Sequence, residues 1–201
     1  MIQGFTLWLT GLPASGKTDI AIRLEESFLE RGLDAEHLDE GEVRETWLPG
    51  LGFESSEGQQ GLTRFLGHVC HMLTRNGVIV VAAATSPVQE IRNEIRSQIG
   101  RFVEIYAKCP EEQCVKKDTT GNWEKARNGQ IKGFPGVDVP FEEPVNPEVV
   151  LETSTEDVET CAKNVLRTLE LMEWIPRLEG SDYNEEEEEK ITKRLKDLGY
   201  M

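Results

Sequence analysis

The sequence predicts an α/β fold, a five-stranded parallel sheet with helices on both faces. Three observations carry that prediction. Short apolar runs alternate along the chain with apolar stripes at helical spacing. One of those runs, Val78 to Ala84, is apolar throughout, as expected of a strand covered on both faces. The first strand also leads into the first helix through a glycine-rich loop, residues 11–18, of the kind whose backbone wraps an anion.

The elements follow in order. Phe5 to Thr10 is rich in strand formers and ends at Gly11. From Gly16 to Arg31 the pattern turns helical, with Ile20, Leu24, Phe28 and Leu29 on one side and Gly32 as the stop. Ala35 to Leu38 reads as a second strand. Leu62, Phe65, Leu66, Val69, Met72 and Leu73 form a second helical stripe, stopped by Asn76-Gly77. Val78 to Ala84 is the third strand, and Pro87 opens a helix carrying Ile91, Ile95 and Ile99. Phe102 to Ala107 and Val149 to Leu151 are the last two strands, and Thr155 to Met172 is a closing helix.

Two segments break the alternation. Residues 118–147 are rich in glycine and proline and lack a clear period, which predicts a functional loop inside a domain spanning 1–175. Residues 176–201 read as an acidic tail. Its Glu185 to Glu189 run suits a solvated helix start, and Ile191, Leu195 and Leu198 follow at helical spacing.

The net charge of −15 argues against nucleic acid as a partner, since phosphate backbones require a basic face. It leaves small anions open, because a local cradle can hold one. No apolar run has the length of a membrane span, and the N-terminal stretch MIQGFTLWLT lacks the basic region and cleavage site of a signal peptide. Cys70, Cys109, Cys114 and Cys161 are spaced for neither a zinc site nor a disulfide framework, and read as reduced thiols of a cytoplasmic protein. His68 and His71 lie one helical turn apart, and with no second ligand pair they read as ordinary helix positions.

GLPASGKT, residues 11–18, fits G-x-x-x-x-G-K-[ST] without a mismatch, between a strand and a helix as its mechanism requires. Gly11, Ala14, Ser15 and Gly16 shape the cradle. Lys17 reaches the β- and γ-phosphates, and Thr18 supplies a hydroxyl to Mg²⁺. The expected fold is therefore the P-loop NTPase type, nucleoside-kinase-like, with ATP and Mg²⁺ as cofactors. A guanine-reading Asn-Lys-x-Asp is absent from the sequence, so a small-molecule kinase leads.

Residues 125–151, KARNGQIKGFPGVDVPFEEPVNPEVVL, resemble the lid segment of the adenylylsulfate (APS) kinases, K-A-R-x-G-x-I-K-G-F-x-G-[IV]-D. Lys125, Ala126, Arg127, Gly129, Ile131, Lys132, Gly133, Phe134, Gly136 and Asp138 match, as do Pro144, Pro147 and Glu148. The resemblance covers about residues 4–172 and implies transfer of the ATP γ-phosphate to the ribose 3′-hydroxyl of APS, giving 3′-phosphoadenylylsulfate (PAPS), and commonly a homodimer. It also implies that Arg44 binds substrate, that Phe53 and Phe134 sandwich the adenine, that Ser86-Pro87 follows the third strand at the site, and that Lys132 meets the substrate's anionic part. Phe53 and Phe134 have core anchoring as their alternative. Arg92 and Arg96 also match family arginines, but their i, i+4 spacing equally fits a solvent-facing helix stripe.

The sequence departs from the family twice. The family's Asp-Gly-Asp-x-[VI]-Arg appears here as Asp39-Glu40-Gly41-Glu42-Val43-Arg44, so Gly41 stands where the second carboxylate belongs. Asp39 is the expected essential acid. Glu42 and Glu40 are the candidates to supply the missing catalytic carboxylate, and the sequence leaves the base unassigned between them. The family's Asp-Arg-x-x-Asn is missing from residues 54–64, where Gly58, Gln59, Gly61 and Leu62 fall, and Arg64 is the one arginine nearby. Two alternatives therefore stand beside APS kinase: a 3′-hydroxyl kinase of another nucleotide conjugate, and a catalytically degenerate nucleotide-binding protein.

Overall fold

Five strands, β1 (Thr6–Thr10), β2 (Ala35–Asp39), β3 (Ile79–Ala83), β4 (Phe102–Lys108) and β5 (Val149–Glu152), form one sheet in the order β2-β3-β1-β4-β5. Every pairing is parallel. The computed structural model describes residues 3–47, 55–178 and 185–200. The helices are α1 (Lys17–Glu30), α2 (Glu40–Glu42), α3 (Ser56–Arg75), α4 (Gln89–Gln98), α5 (Glu111–Lys117), α6 (Asn122–Arg127), α7 (Val158–Leu171) and α8 (Glu185–Asp197).

The two-sided burial of the sheet explains its apolar strands. On β1, Leu7 and Leu9 pack with Ile20, Leu24 and Phe28 of α1 and Val165 and Leu169 of α7. Trp8 points the other way, to Leu62 and Leu66 of α3 and Ile91 and Ile95 of α4. β3 divides alike, Ile79, Val81 and Ala83 to one layer and Val80 and Ala82 to the other, so a polar side chain on it would be buried on either face and would need a partner there.

From β1 the chain crosses to β2, returns through β3, and then passes β1 to reach β4. The two neighbours of β1 are thus reached in opposite directions. The crevice at the carboxyl ends of the strands opens there, and the 11–18 loop leaves β1 into it.

The structure adds to the sequence reading at three places. After β2, which ends at Asp39, Glu40–Glu42 is a helical turn that runs on as a π-helical stretch, Val43–Trp47. Residues 111–117 and 122–127 are helices, so the 118–147 segment is not without structure. Arg92 is not solvent-facing. It is buried and pairs with Glu104 of β4 at 2.8 Å, while Arg96 grips Glu148 with two bonds of 2.6 and 2.9 Å.

α8 packs against the domain. Leu195 is buried, Arg194 Nε donates to the Pro147 carbonyl at 2.9 Å, and the Tyr200 hydroxyl donates to Glu148 at 2.8 Å. Among the described residues no helix is long and apolar enough to cross a membrane.

Candidate active site

The cradle forms because β1 ends against β4. A Cβ at Gly11 would lie 2.5 Å from the Ala107 carbonyl oxygen, and its φ of 152° is open to glycine. Ala14 takes a φ of 62°, and Gly16, at 89°, caps α1. Ser15 and Lys17 are buried. The Lys17 ammonium donates to the carbonyls of Gly11 at 3.0 Å and Leu12 at 2.8 Å. Burial pushes its pKa down to about 8, with Glu40 first and Asp39 second pulling it back up.

Thr18 is exposed at the start of α1, and its hydroxyl donates to Asp39 Oδ2 at 2.6 Å. Asp39 ends β2 and caps α2: its Oδ1 accepts the amides of Gly41 at 2.8 Å and Glu42 at 3.2 Å. The helical turn that follows separates the next two acids. Glu40 is buried, with Oε2 accepting the Thr85 amide at 2.7 Å. Glu42 is exposed, as is Arg44 on the π-helical stretch.

Ser86 closes the exit of β3. Its hydroxyl accepts from Trp8 Nε1 and donates to Thr10 Oγ1, both at 3.0 Å, and Arg92 Nη1 donates to its carbonyl at 2.6 Å. Ser86 is buried at the rim of the crevice, and its hydroxyl hydrogen is used within the protein.

The lid segment is tied to the cradle. Trp123 of α6 donates its indole N–H to the Pro13 carbonyl at 3.1 Å. Phe134 stands edge-on to Trp123, with ring centroids 5.1 Å apart and planes at 74°. The Asp138 carboxylate accepts the amides of Gly133 and Phe134, and the Gln59 amide of α3 donates to the Gly133 carbonyl. An open cavity of ≈ 690 Å³ lies between loop and lid, lined by Pro13, Ala14, Gly16, Asn122, Trp123 and Phe134 among others.

The structure thus gathers Lys17, Thr18, Asp39 and Glu40 at one crevice, with Ser86 at its rim and Phe134 on the wall of the adjoining cavity. Phe134 is largely buried with Trp123, Cys109, Cys114 and Ala126. Lys132 is exposed on the lid, and Phe53 lies outside the described residues. Sequence reasoning passed over Trp123 and Gln59, which hold the lid. A lone tryptophan opening a short helix and a glutamine inside a glycine-rich stretch carry no periodic signal.

The adenylylsulphate kinase family model matches residues 3–152. The adenylyl-sulfate kinase of Picosynechococcus sp. is 44% identical over 167 residues, 83% of this chain and 94% of that protein. The adenylyl-sulfate kinase of Rippkaea orientalis is 41% identical over 175 residues, 87% and 96% of the two chains. Among solved structures, the Mycobacterium tuberculosis APS kinase in complex with AMPPNP and APS superimposes with a TM-score of 0.78 at 33% identity, covering 85% of this chain and 99% of that one. With its crevice, cradle and lid in place, and with relatives matched along almost their whole length, the chain belongs to the adenylylsulphate kinase family.

Proposed function

We propose that the protein transfers the γ-phosphate of ATP to the ribose 3′-hydroxyl of adenylylsulfate, giving 3′-phosphoadenylylsulfate. The observation that carries this reading is the Lys17–Thr18–Asp39 constellation at the switch-point crevice, beneath a lid anchored to the same loop. Lys17 is a desolvated cation held by uncharged acceptors, the carbonyls of Gly11 and Leu12 and, more loosely, the Ser15 hydroxyl, and phosphate oxygens offer it a better partner. The cradle amides and the start of α1 bind the remaining phosphate charge. The lid, closing on Pro13, excludes water that would compete with the acceptor.

A hydroxyl and a carboxylate at the cradle's mouth fit Mg²⁺, which keeps most of its coordination from water and phosphate. Among the described residues no cluster of three or more His, Cys, Asp or Glu side chains offers a protein cage instead. Thr18, with Asp39 behind it, would hold the ion, and the ion's charge would offset that building on the transferring phosphoryl group.

One observation favours a second reading, a 3′-hydroxyl kinase of a nucleotide conjugate with a less anionic headgroup. Gly58 and Gly61 present no side chain at the start of α3, Gln59 is committed to the lid, and Arg64 pairs with Glu94 at 3.0 Å. ADP release from ATP with and without APS, in the wild type and in Lys17→Ala, decides between them. APS-dependent release with PAPS as product, lost in the variant, is the expected result. Release that ignores APS but responds to a conjugate bearing an uncharged headgroup would replace the first reading with the second.

A further inference from the structure

Gly133 is a corner of the lid. It takes a φ of 71°, and its amide and that of Phe134 donate to the Asp138 carboxylate at 2.7 and 2.5 Å. Those bonds stay within the lid. The Gly133 carbonyl reaches out of it and accepts the side-chain amide of Gln59, near the start of α3. Among the described residues of 55–64, Gln59 and Thr63 are the polar side chains that the fold buries. Thr63 is satisfied inside the helix, its hydroxyl donating to the Gln59 carbonyl at 3.0 Å. Gln59, 9% exposed, is the one turned toward the lid. On either side of the corner, Lys132 is exposed, and Phe134 is buried against Trp123 and lines the cavity beside the phosphate cradle.

We propose that Gln59 is a positioning residue for the acceptor: through the Gly133 carbonyl it latches the lid to α3, and so fixes where Lys132 and Phe134 meet the bound nucleotide. The inference rests on the kinase reaction proposed above. The latch stands between Gly58 and Gly61, in the segment that lacks the Asp-Arg-x-x-Asn pattern. With glycine at both positions, these turns of α3 act on the acceptor through the lid that covers it. A lid without the latch must be ordered anew each time the acceptor binds, and that cost falls on affinity rather than on the chemical step.

Two variants of the full chain remove the donor. Gln59→Leu fills a similar space and leaves the buried carbonyl without a partner. Gln59→Glu keeps the shape and sets a carboxylate against that carbonyl, so either variant reads the latch if the other fails to fold. Trypsin reads it without turnover, because the Lys132–Gly133 bond can enter a protease only when the corner comes away from α3. Cleavage there should rise about tenfold, the loss expected for a buried carbonyl left unpaired, while cleavage after the exposed Arg177, outside the lid, stays as in the wild type. In steady-state kinetics the KM for APS should rise about tenfold with kcat within threefold. Cleavage at Lys132 within twofold of wild type overturns the inference, as does an equal rise at both sites, which marks general loosening. An unchanged KM, or a fall in kcat alone, overturns the positioning role even where cleavage rises. Should APS not support turnover in the wild type, the proposed function falls, and the cleavage pattern still decides whether Gln59 latches the lid.

Discussion

The hydroxyl of Thr18 donates to the carboxylate of Asp39 across 2.6 Å, joining the first turn of α1 to the end of β2 where a nucleotide's phosphates must lie. The same carboxylate caps the next helical turn through the amides of Gly41 and Glu42. Asp39→Asn keeps an oxygen for those amides and removes the charge. Its kcat should fall tenfold to hundredfold, matching a charge-assisted bond of about 1.5–3 kcal/mol. Asp39→Ala should lose the cap too, with about 1 kcal/mol less stability. Steady-state kinetics beside thermal unfolding checks both, and equal stability of the two variants would count against the capping role.

Lys17 should give stability and ATP affinity opposite pH dependences. Burial lowers its pKa to about 8 in the folded chain, from the usual 10.5. Between those values the unfolded state binds more protons, so this lysine's contribution makes the nucleotide-free protein more stable as pH rises through the window. Below about pH 8 both states are protonated and the penalty is present in full. Phosphates need the ammonium, so ATP binding should weaken as pH climbs past 8. Lys17→Met should remove both dependences, be no less stable than wild type at pH 7 without nucleotide, and bind ATP at least about tenfold more weakly. The difference between wild type and variant in unfolding scans from about pH 7 to 10, with and without ATP, isolates this residue from other titrating groups.

Arg92 holds four acceptors from a buried position: Glu104 at 2.8 Å, the Ser86 carbonyl at 2.6 Å, Gln89 at 2.8 Å and the Glu142 carbonyl at 2.7 Å. It fixes the crevice rim, α4, β4 and the return of the lid at once. Arg92→Leu leaves Glu104 buried with only Arg96, at 3.3 Å, to face it, and should cost about 3–5 kcal/mol. Arg92→Lys should recover little, because a single ammonium does not span a planar fork. Urea unfolding measures both, and a loss below about 1 kcal/mol in Arg92→Leu would show that the network carries little stability.

These residues also mark where the sequence was legible. The strands and long helices were, because two-sided burial writes continuous apolar runs and wide stripes, as in Val78 to Ala84 and Leu62 to Leu73. The cradle was, because its chemistry lies within eight consecutive residues. Helices α5 and α6 bury Cys114 in one case and Trp123 and Ala126 in the other, too few for a period to appear. The place of Glu40 depended on strand giving way to helix at Asp39. An aspartate followed by acids at the first and third positions after it was a readable N-cap, masked by the short strand before it. Arg92 looked like half of a surface stripe. Its partner was visible as the lone charge within Phe102 to Ala107, a buried strand where a glutamate requires a cation.

The lid should respond to one methyl group. Gly136 has a φ of 94°, and a Cβ there would lie 2.7 Å from the Trp123 ring and 3.0 Å from Leu12. Neither neighbour yields easily, since Trp123 is held at Pro13 and against Phe134, and Leu12 belongs to the cradle. Gly136→Ala should therefore push the lid from the loop and raise the KM for ATP about tenfold, the equivalent of about 1.4 kcal/mol. Backbone strain contributes to any such variant, and Gly129→Ala measures it alone. That glycine has a similar φ of 70° but open space where a Cβ would go. It should lose about 1–2 kcal/mol of stability from the left-handed conformation with an unchanged KM. If the two variants raise KM alike, backbone strain rather than contact with Trp123 governs the lid, and the tryptophan's bond to Pro13 is not what sets its position.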